Sequence, residues 1–234
     1  MDKLTRKELK TDRFAVEVQH SVEYMADHRR QMIRWGGIGL AVLVIALAVY
    51  LYRQHAHGVR QDALFSALQV QNANVGPAQN EYTLAFPTQA EKDSAVQKAF
   101  TDVAAKYSGS NEGYISEYYL AINAIDHGNT QEAEKRFKEV ADAGNKDIAS
   151  LAKLALSQIY ASQGKIADGE SLIRPLIDHP TATVSKDQAI FALAHLLEKS
   201  KPQEARKLLE PLRSSDRAPV SRAAVTALAD MSQK

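Results

Sequence analysis

The chain has 234 residues, a formal net charge of +1 and no cysteine. A mean hydropathy of −0.32 excludes a polytopic membrane protein, and the near-neutral charge excludes a strongly basic nucleic-acid binder. The lack of cysteine excludes a disulfide framework, a thiolate metal site and a thiol nucleophile.

Residues 1–34 form a charged tail. Within it Phe14, Val18, Val22 and Met25 fall four, four and three residues apart, the spacing of one apolar stripe on a short amphipathic helix. Such a helix suits lipid headgroups or a cytoplasmic partner, and it also fits a short solvated helix.

Residues 35–52 read WGGIGLAVLVIALAVYLY, 18 residues without a charge, closed by Arg34 and Arg53. At about 1.5 Å of rise per residue the run spans about 27 Å, close to the hydrocarbon thickness of a bilayer. Trp35 at one end and Tyr50 and Tyr52 at the other suit the interfaces. The segment reads as an uncleaved signal anchor, a single transmembrane helix. A buried helix of this length seldom lacks a polar face. Ala46-Leu47-Ala48 resembles a signal-peptidase site, but the charged region ahead of the span already runs to residue 34, longer than signal peptides allow. Arg29, Arg30 and Arg34 precede the span, and Arg53 and Arg60 follow it. This bias predicts a cytoplasmic N-terminus and a C-terminal domain outside the cytoplasm. Gly37 and Ala41 form one small-xxx-small pair in the span, a pattern common by chance.

Residues 53–113 read as a juxtamembrane helix, a loop and a degenerate first repeat. The helix covers about 59–72 and the loop about 73–88, where Gly76, Pro77 and Pro87 break regular structure. A second helix, with Ala95, Phe100 and Val103 on its apolar face, ends at Tyr107-Ser108-Gly109.

Residues 114–234 show a fixed period. GNTQEAEKRFKEV from Gly128, GKIADGESLIRPL from Gly164 and SKPQEARKLLEPL from Ser200 start 36 residues apart. Gly128, Gly164 and Ser200 are small residues for an inter-helix turn. Glu132, Asp168 and Glu204 place negative charge in the first turn of the following helix, where the dipole favours it. Ala133, Gly169 and Ala205 are small where two helices approach. Phe137, Ile173 and Leu209, then Val140, Leu176 and Leu212, supply one apolar face. A last helix, about 220–231, caps the stack.

These positions resemble the tetratricopeptide repeat (TPR) family, whose repeat is a helix-turn-helix of about 34 residues. The likeness covers about residues 114–213. It is strong at the turn and helix B and weak in helix A. The family's Trp position holds Glu117, Lys153 and Ala189, and its Tyr position holds Ala124, Tyr160 and Leu196. The expected fold is all-α: one N-terminal transmembrane helix followed by a TPR-like α-solenoid. The resemblance implies a concave protein-binding groove lined by the first helices. Its positions here are Tyr118, Ile122 and Ile125 in the first repeat, Leu154 and Gln158 in the second, and Ile190, Ala194 and Leu197 in the third. The Lys, Asn and Arg of family members that clamp a C-terminal carboxylate do not stand at these places. The groove reads as apolar, suited to an unfolded or amphipathic segment, or filled by the chain's own juxtamembrane helix or loop.

No phosphate loop and no G-x-S-x-G motif is present. His55 and His57 face different sides of a helix, His127 and His179 stand at helix ends, and His195 lies in an apolar helix. We expect no enzyme activity, cofactor, metal, nucleic acid or small-molecule substrate. The layout of tail, span and repeat domain resembles the ancillary subunit of the bacterial SecYEG translocon. That resemblance implies partners among the translocon, exported polypeptides and periplasmic chaperones. A scaffold for a division or outer-membrane assembly complex is the alternative.

Overall fold

The computed structural model describes residues 29–77, 84–143 and 145–232. The stripe expected at Phe14–Met25, like the rest of the tail before Arg29, lies outside them. The chain divides into two compact units, Met1–Val59 and Arg60–Lys234.

The described part of the first unit is helical and belongs to α1, Arg29–Gln71. From Trp35 through Tyr52 every residue is exposed, and no side of the helix is polar. Leu43 and Trp35 keep 68% and 67% of their surface, as they would only in an apolar medium or under another molecule's cover. The helix is long and apolar enough to cross a membrane by length and composition.

Among the described residues of the second unit the end of α1 is followed by eight helices: α2 (Gln89–Lys106), α3 (Asn111–Asp126), α4 (Thr130–Asp142), α5 (Lys146–Ser162), α6 (Ile166–Asp178), α7 (Lys186–Leu197), α8 (Pro202–Leu209) and α9 (Ala218–Asp230). A 3-10 turn, Glu210–Ser214, extends α8. The stretch read as a loop carries one short pairing. Asn74–Val75 (β1) and Ala85–Phe86 (β2) are parallel two-residue strands, and Gly76 N–H donates to the Phe86 carbonyl at 2.9 Å. So short a pairing leaves no alternating pattern to read in sequence.

Helix starts follow side-chain chemistry. Thr88, Ser110, Asn129, Asn145 and Ser185 each accept a backbone N–H of the first turn, and Ser185 with Gln188 closes a capping box. Gly128 and Gly164 take left-handed backbone, with φ of 75° and 74°. Each lets the following N–H reach back to the last turn, Asn129 to the Ala124 carbonyl and Lys165 to the Tyr160 carbonyl, both at 2.8 Å. Ser200, aligned with them by the repeat, does not share this conformation, since no described non-glycine residue has positive φ. Its turn instead returns Lys201 N–H to the Leu197 carbonyl at 2.7 Å, and Pro202 starts α8.

Each helix from α2 to α8 packs on the next, and alternate helices also meet, α3 on α5 and α5 on α7. The core is therefore a row of clusters. Leu64 and Ala67 of α1 join Phe100, Val103 and Leu120. Phe137 and Val140 gather Ala121, Ala152 and Leu156. Ile173 and Leu176 gather Leu193, Leu197 and Leu209. On the early helix face Val96 is buried and Ala95 only half-buried, so the contact centres one residue later than the sequence pattern placed it. Alpha9 closes the row through Ala224, packed with Ile190 and Leu212. Arg206 fastens its far end by donating to the Met231 carbonyl and the Ser232 hydroxyl, both at 2.9 Å.

Candidate protein-binding groove

Because α3, α5 and α7 touch in succession, their outward sides line one face of the second unit. Three cavities lie along it. The first, about 460 Å³, opens between α3, α4 and α5. Tyr118, Ile122 and Ile125 form one wall, Gln158 and Ser162 the other, and Phe137 and Ile159 the floor. The Tyr118 ring stands edge-on to Phe137 at 5.4 Å and to Tyr119 at 6.1 Å. Tyr119 in turn stacks on buried Phe100 at 4.8 Å, so the wall is braced from the preceding repeat. Burial, with a smaller contribution from Tyr119, holds the Tyr118 hydroxyl above the usual tyrosine range, and it stays neutral.

The second cavity, about 690 Å³, shares Gln158 and Ser162 with the first and is bounded on the far side by His195, Glu198 and Lys199. The third, about 400 Å³, shares His195 and Glu198 with the second and reaches Phe191, Ala194, Asp230 and Met231. Shared wall residues place the three side by side, as a groove-like row from α3 to α9. Its first third carries no charged residue among the described ones and sets an apolar wall against Gln158 and Ser162. Its last third sets carboxylates beside apolar surface.

Of the residues the resemblance assigned to a groove, Tyr118, Ile122, Ile125 and Gln158 meet in the first cavity and Ala194 lines the third. Leu154 is half-buried against the last large core cluster. Leu197 is fully buried in that cluster, and Ile190 lies under the cap with Leu212. The sequence reading did not single out Phe137, Ile159, Glu198 or Asp230 as groove residues, and it gave His195 no role. The 36-residue period carried the signal: His195 stands 36 residues after Ile159, and Asp230 36 after Ala194. Extending the period into α9 would have shown that the last helix continues the lining.

One position that departs from the family pattern and one that keeps it both find partners. Glu117, at the family's Trp position, pairs with Arg136 of α4, so an ion pair joins helix A to helix B there. Tyr160, which keeps the family's Tyr, lies under Lys165 Nζ, 5.5 Å from its ring centre. On another side of the unit His127 donates to the Asn123 carbonyl through Nδ1–H (2.8 Å), while Nε2 faces Asp93 at 3.5 Å. The Asn123 carbonyl chiefly, and Asp93, raise its pKa. Among the described residues no three of His, Asp and Glu are grouped to hold a metal ion.

Stacked helical hairpins at a fixed period, with first helices in mutual contact and a groove along them, define an α-solenoid of helix-turn-helix repeats. Residues 27–210 match the family described as tetratricopeptide repeat-like domain, and the chain belongs to that family. Among solved structures it is similar to a Podospora anserina protein described as kinesin light chain nearly identical TPR-like repeats. The likeness covers 62% of this chain and 79% of that one, with a TM-score of 0.52 and 18% identity, and is one of fold alone. No curated protein matches the chain. Repeat folds of this class generally act as scaffolds that present extended concave surfaces to other proteins.

Proposed function

We propose that the protein is a membrane-tethered interaction module. Its apolar helix spans the bilayer once, with the N-terminus cytoplasmic, and its repeat unit binds exported polypeptides or chaperones near the protein translocon. The observation that carries this reading is the pairing, in one chain, of a fully exposed apolar helix with an open groove. The uncharged stretch between Arg34 and Arg53 and the three-to-two arginine bias support the topology. Tyr118, Ile122 and Ile125 offer apolar surface to an unfolded segment, and tethering raises local concentration so that weak contacts suffice. The translocon assignment rests on the layout of tail, span and repeats.

A photo-crosslinking amino acid at position 118 in intact cells tests the reading. Many exported chains in the crosslinks are expected. A single stoichiometric partner would favour the envelope scaffold instead. Release from vesicles by alkaline carbonate would refute the membrane anchor, and digestion-resistance of the repeat unit in sealed spheroplasts exposed to protease would refute its placement outside the cytoplasm.

A further inference from the structure

The second helices of the repeats, α4, α6 and α8, and the turns before α6 and α8 carry one charge pattern at the repeat period. Glu134, Lys138, Lys165 and Asp168 at the first junction align with Glu170, Arg174, Lys201 and Glu204 at the second. The second set is closed into a network. Glu170 Oε1 accepts from Arg174 Nε at 2.7 Å, Glu170 Oε2 accepts from Lys201 Nζ at 2.9 Å, and Arg174 also reaches Glu204. Glu170 and Arg174 stand on α6, and Lys201 and Glu204 at the start of α8, so the four side chains clasp the two helices together. In the first set the glutamate and the turn lysine are committed elsewhere. Glu134 accepts from Gln163 Nε2 at 2.7 Å, and Lys165 Nζ lies over the Tyr160 ring. The apolar core repeats the asymmetry. Ile173 and Leu176 of α6 are buried in one cluster with Ala205 and Leu209 of α8. Among the described residues, the cluster around Phe137 and Val140 of α4 receives from α6 only Leu172, half-buried. At the starts of the first helices the two junctions are tied alike: Asn145 donates to Asn111, and the Thr183 hydroxyl to the Asp147 carbonyl at 2.6 Å.

We propose that the repeat unit is an articulated clamp. Helices α6 to α8 form a fixed jaw, held by the clasp of Glu170, Arg174, Lys201 and Glu204. The joint between α4 and α6 lets that jaw move, with the ties at the starts of the first helices as its pivot. Helix α5 lies between α4 and α6 in the stack, and its Gln158 and Ser162 line both the first and the middle cavity, so motion at the joint reshapes both. An isolated surface ion pair would add little stiffness, but these pairs share members and close over Glu170, whose side chain keeps 14% of its surface. The joint stands whatever the groove binds. Its use in gripping a partner rests on the groove being the binding face.

The chain has no cysteine, so engineered cysteine pairs take spin labels without interference. Lys135, Ser171 and Lys207 are exposed and hold the same repeat position on α4, α6 and α8. In the full chain in nanodiscs, electron–electron double resonance between labels at Lys135→Cys and Ser171→Cys spans the joint, and between Ser171→Cys and Lys207→Cys the clasp. The share of distances outside the main peak is expected to be about fivefold smaller across the clasp. Glu170→Gln/Glu204→Gln raises it there to the level of the joint. About 1 M NaCl raises it part of the way and leaves the joint unchanged. A cooperative circular dichroism melt shows that the double variant is folded, and the salt measurement needs no change in the clasp. Equal shares across the two spans, or a clasp share unmoved by salt or by the folded double variant, overturns the inference. A fluorescein-labelled Gly-Ser peptide with a central Phe tests the grip. Its binding, read by anisotropy, is expected to narrow the joint distances and leave those across the clasp. Binding that narrows neither, or no binding, overturns the joint's role in gripping, while the label distances still decide the joint itself. The groove reading falls only if position 118 also crosslinks to nothing.

Discussion

Gly113→Ala is expected to destabilise the repeat unit far more than a glycine-to-alanine change in a helix ordinarily does. Gly113 lies buried in the first turn of α3, directly against the end of α2. An ideal Cβ there would fall 3.0 Å from the Tyr107 carbonyl carbon and closer still to its oxygen. That oxygen cannot swing aside freely, because it accepts from Ser110 N–H at 3.0 Å and from the Ser110 hydroxyl at 2.7 Å. Ser110 Oγ also accepts Gly113 N–H at 3.1 Å, so carbonyl, cap and glycine are locked together. Relieving the overlap means moving the turn by about 1 Å, at an overpacking cost of about 1–3 kcal/mol. Weakening the two hydrogen bonds adds about 1 kcal/mol each, and the better helix propensity of alanine returns up to about 1 kcal/mol. The net loss is about 2–4 kcal/mol, or a drop in Tm of roughly 5–15 °C for a unit of this size. Gly164→Ala is the control: its φ of 74° is strained for alanine, but no atom lies within 4 Å of the added Cβ, so its cost is about 1–2 kcal/mol. Thermal melts of the full chain in detergent, followed by circular dichroism at the helix band, measure both. A Gly113→Ala melt no lower than that of Gly164→Ala would refute the steric argument.

Arg60 pairs with Glu112 at 3.3 Å, and the Glu112 side chain keeps only 4% of its surface, so Arg60→Met is expected to cost about 1–3 kcal/mol. The Arg60→Met/Glu112→Met double variant should recover most of that loss in the same melts, and no recovery would show that the pair is not the cause. Glu170 accepts from Lys201 and Arg174, and those bonds hold its pKa below the ordinary 4.5. Because the folded pKa is the lower one, its stabilising contribution is present above pH 4.5 and lost as pH falls through the folded value. The Tm gap between wild type and Glu170→Gln should therefore narrow on acidification below that point, and a gap constant with pH would contradict the network. Ile122→Asp puts a carboxylate into the first third of the groove. It should reduce crosslinking from position 118 by more than about tenfold while the melt still shows a folded unit. Undiminished crosslinks would move the binding face elsewhere.

The fold was legible because a repeat writes the same local physics several times. The small residues at Ala133, Gly169 and Ala205 are buried as the period predicts, and Phe137, Ile173 and Leu209 fill the core beside them. The weak first helices were harder to read, since Glu117 in place of a large aromatic finds its compensation only in Arg136, 19 residues away. The groove was partly legible. Tyr118, Ile122, Ile125 and Gln158 share a cavity, whereas Leu197 turns into the core one helical face away. Helical spacing identifies an apolar stripe but not which edge of it a neighbouring helix covers.

Sequence alone determined the apolar span, the 36-residue period and the all-helical class, because hydropathy and helix punctuation act over a few residues. Tertiary structure decided what needed two or more segments at once. The Tyr107 carbonyl resting on Gly113, the Arg60–Glu112 pair and the acidic end of the groove between α7 and α9 all join residues distant in the chain, or set by the angle between helices. Local propensity carries no information about that angle. It follows from how the buried side chains of neighbouring helices interlock.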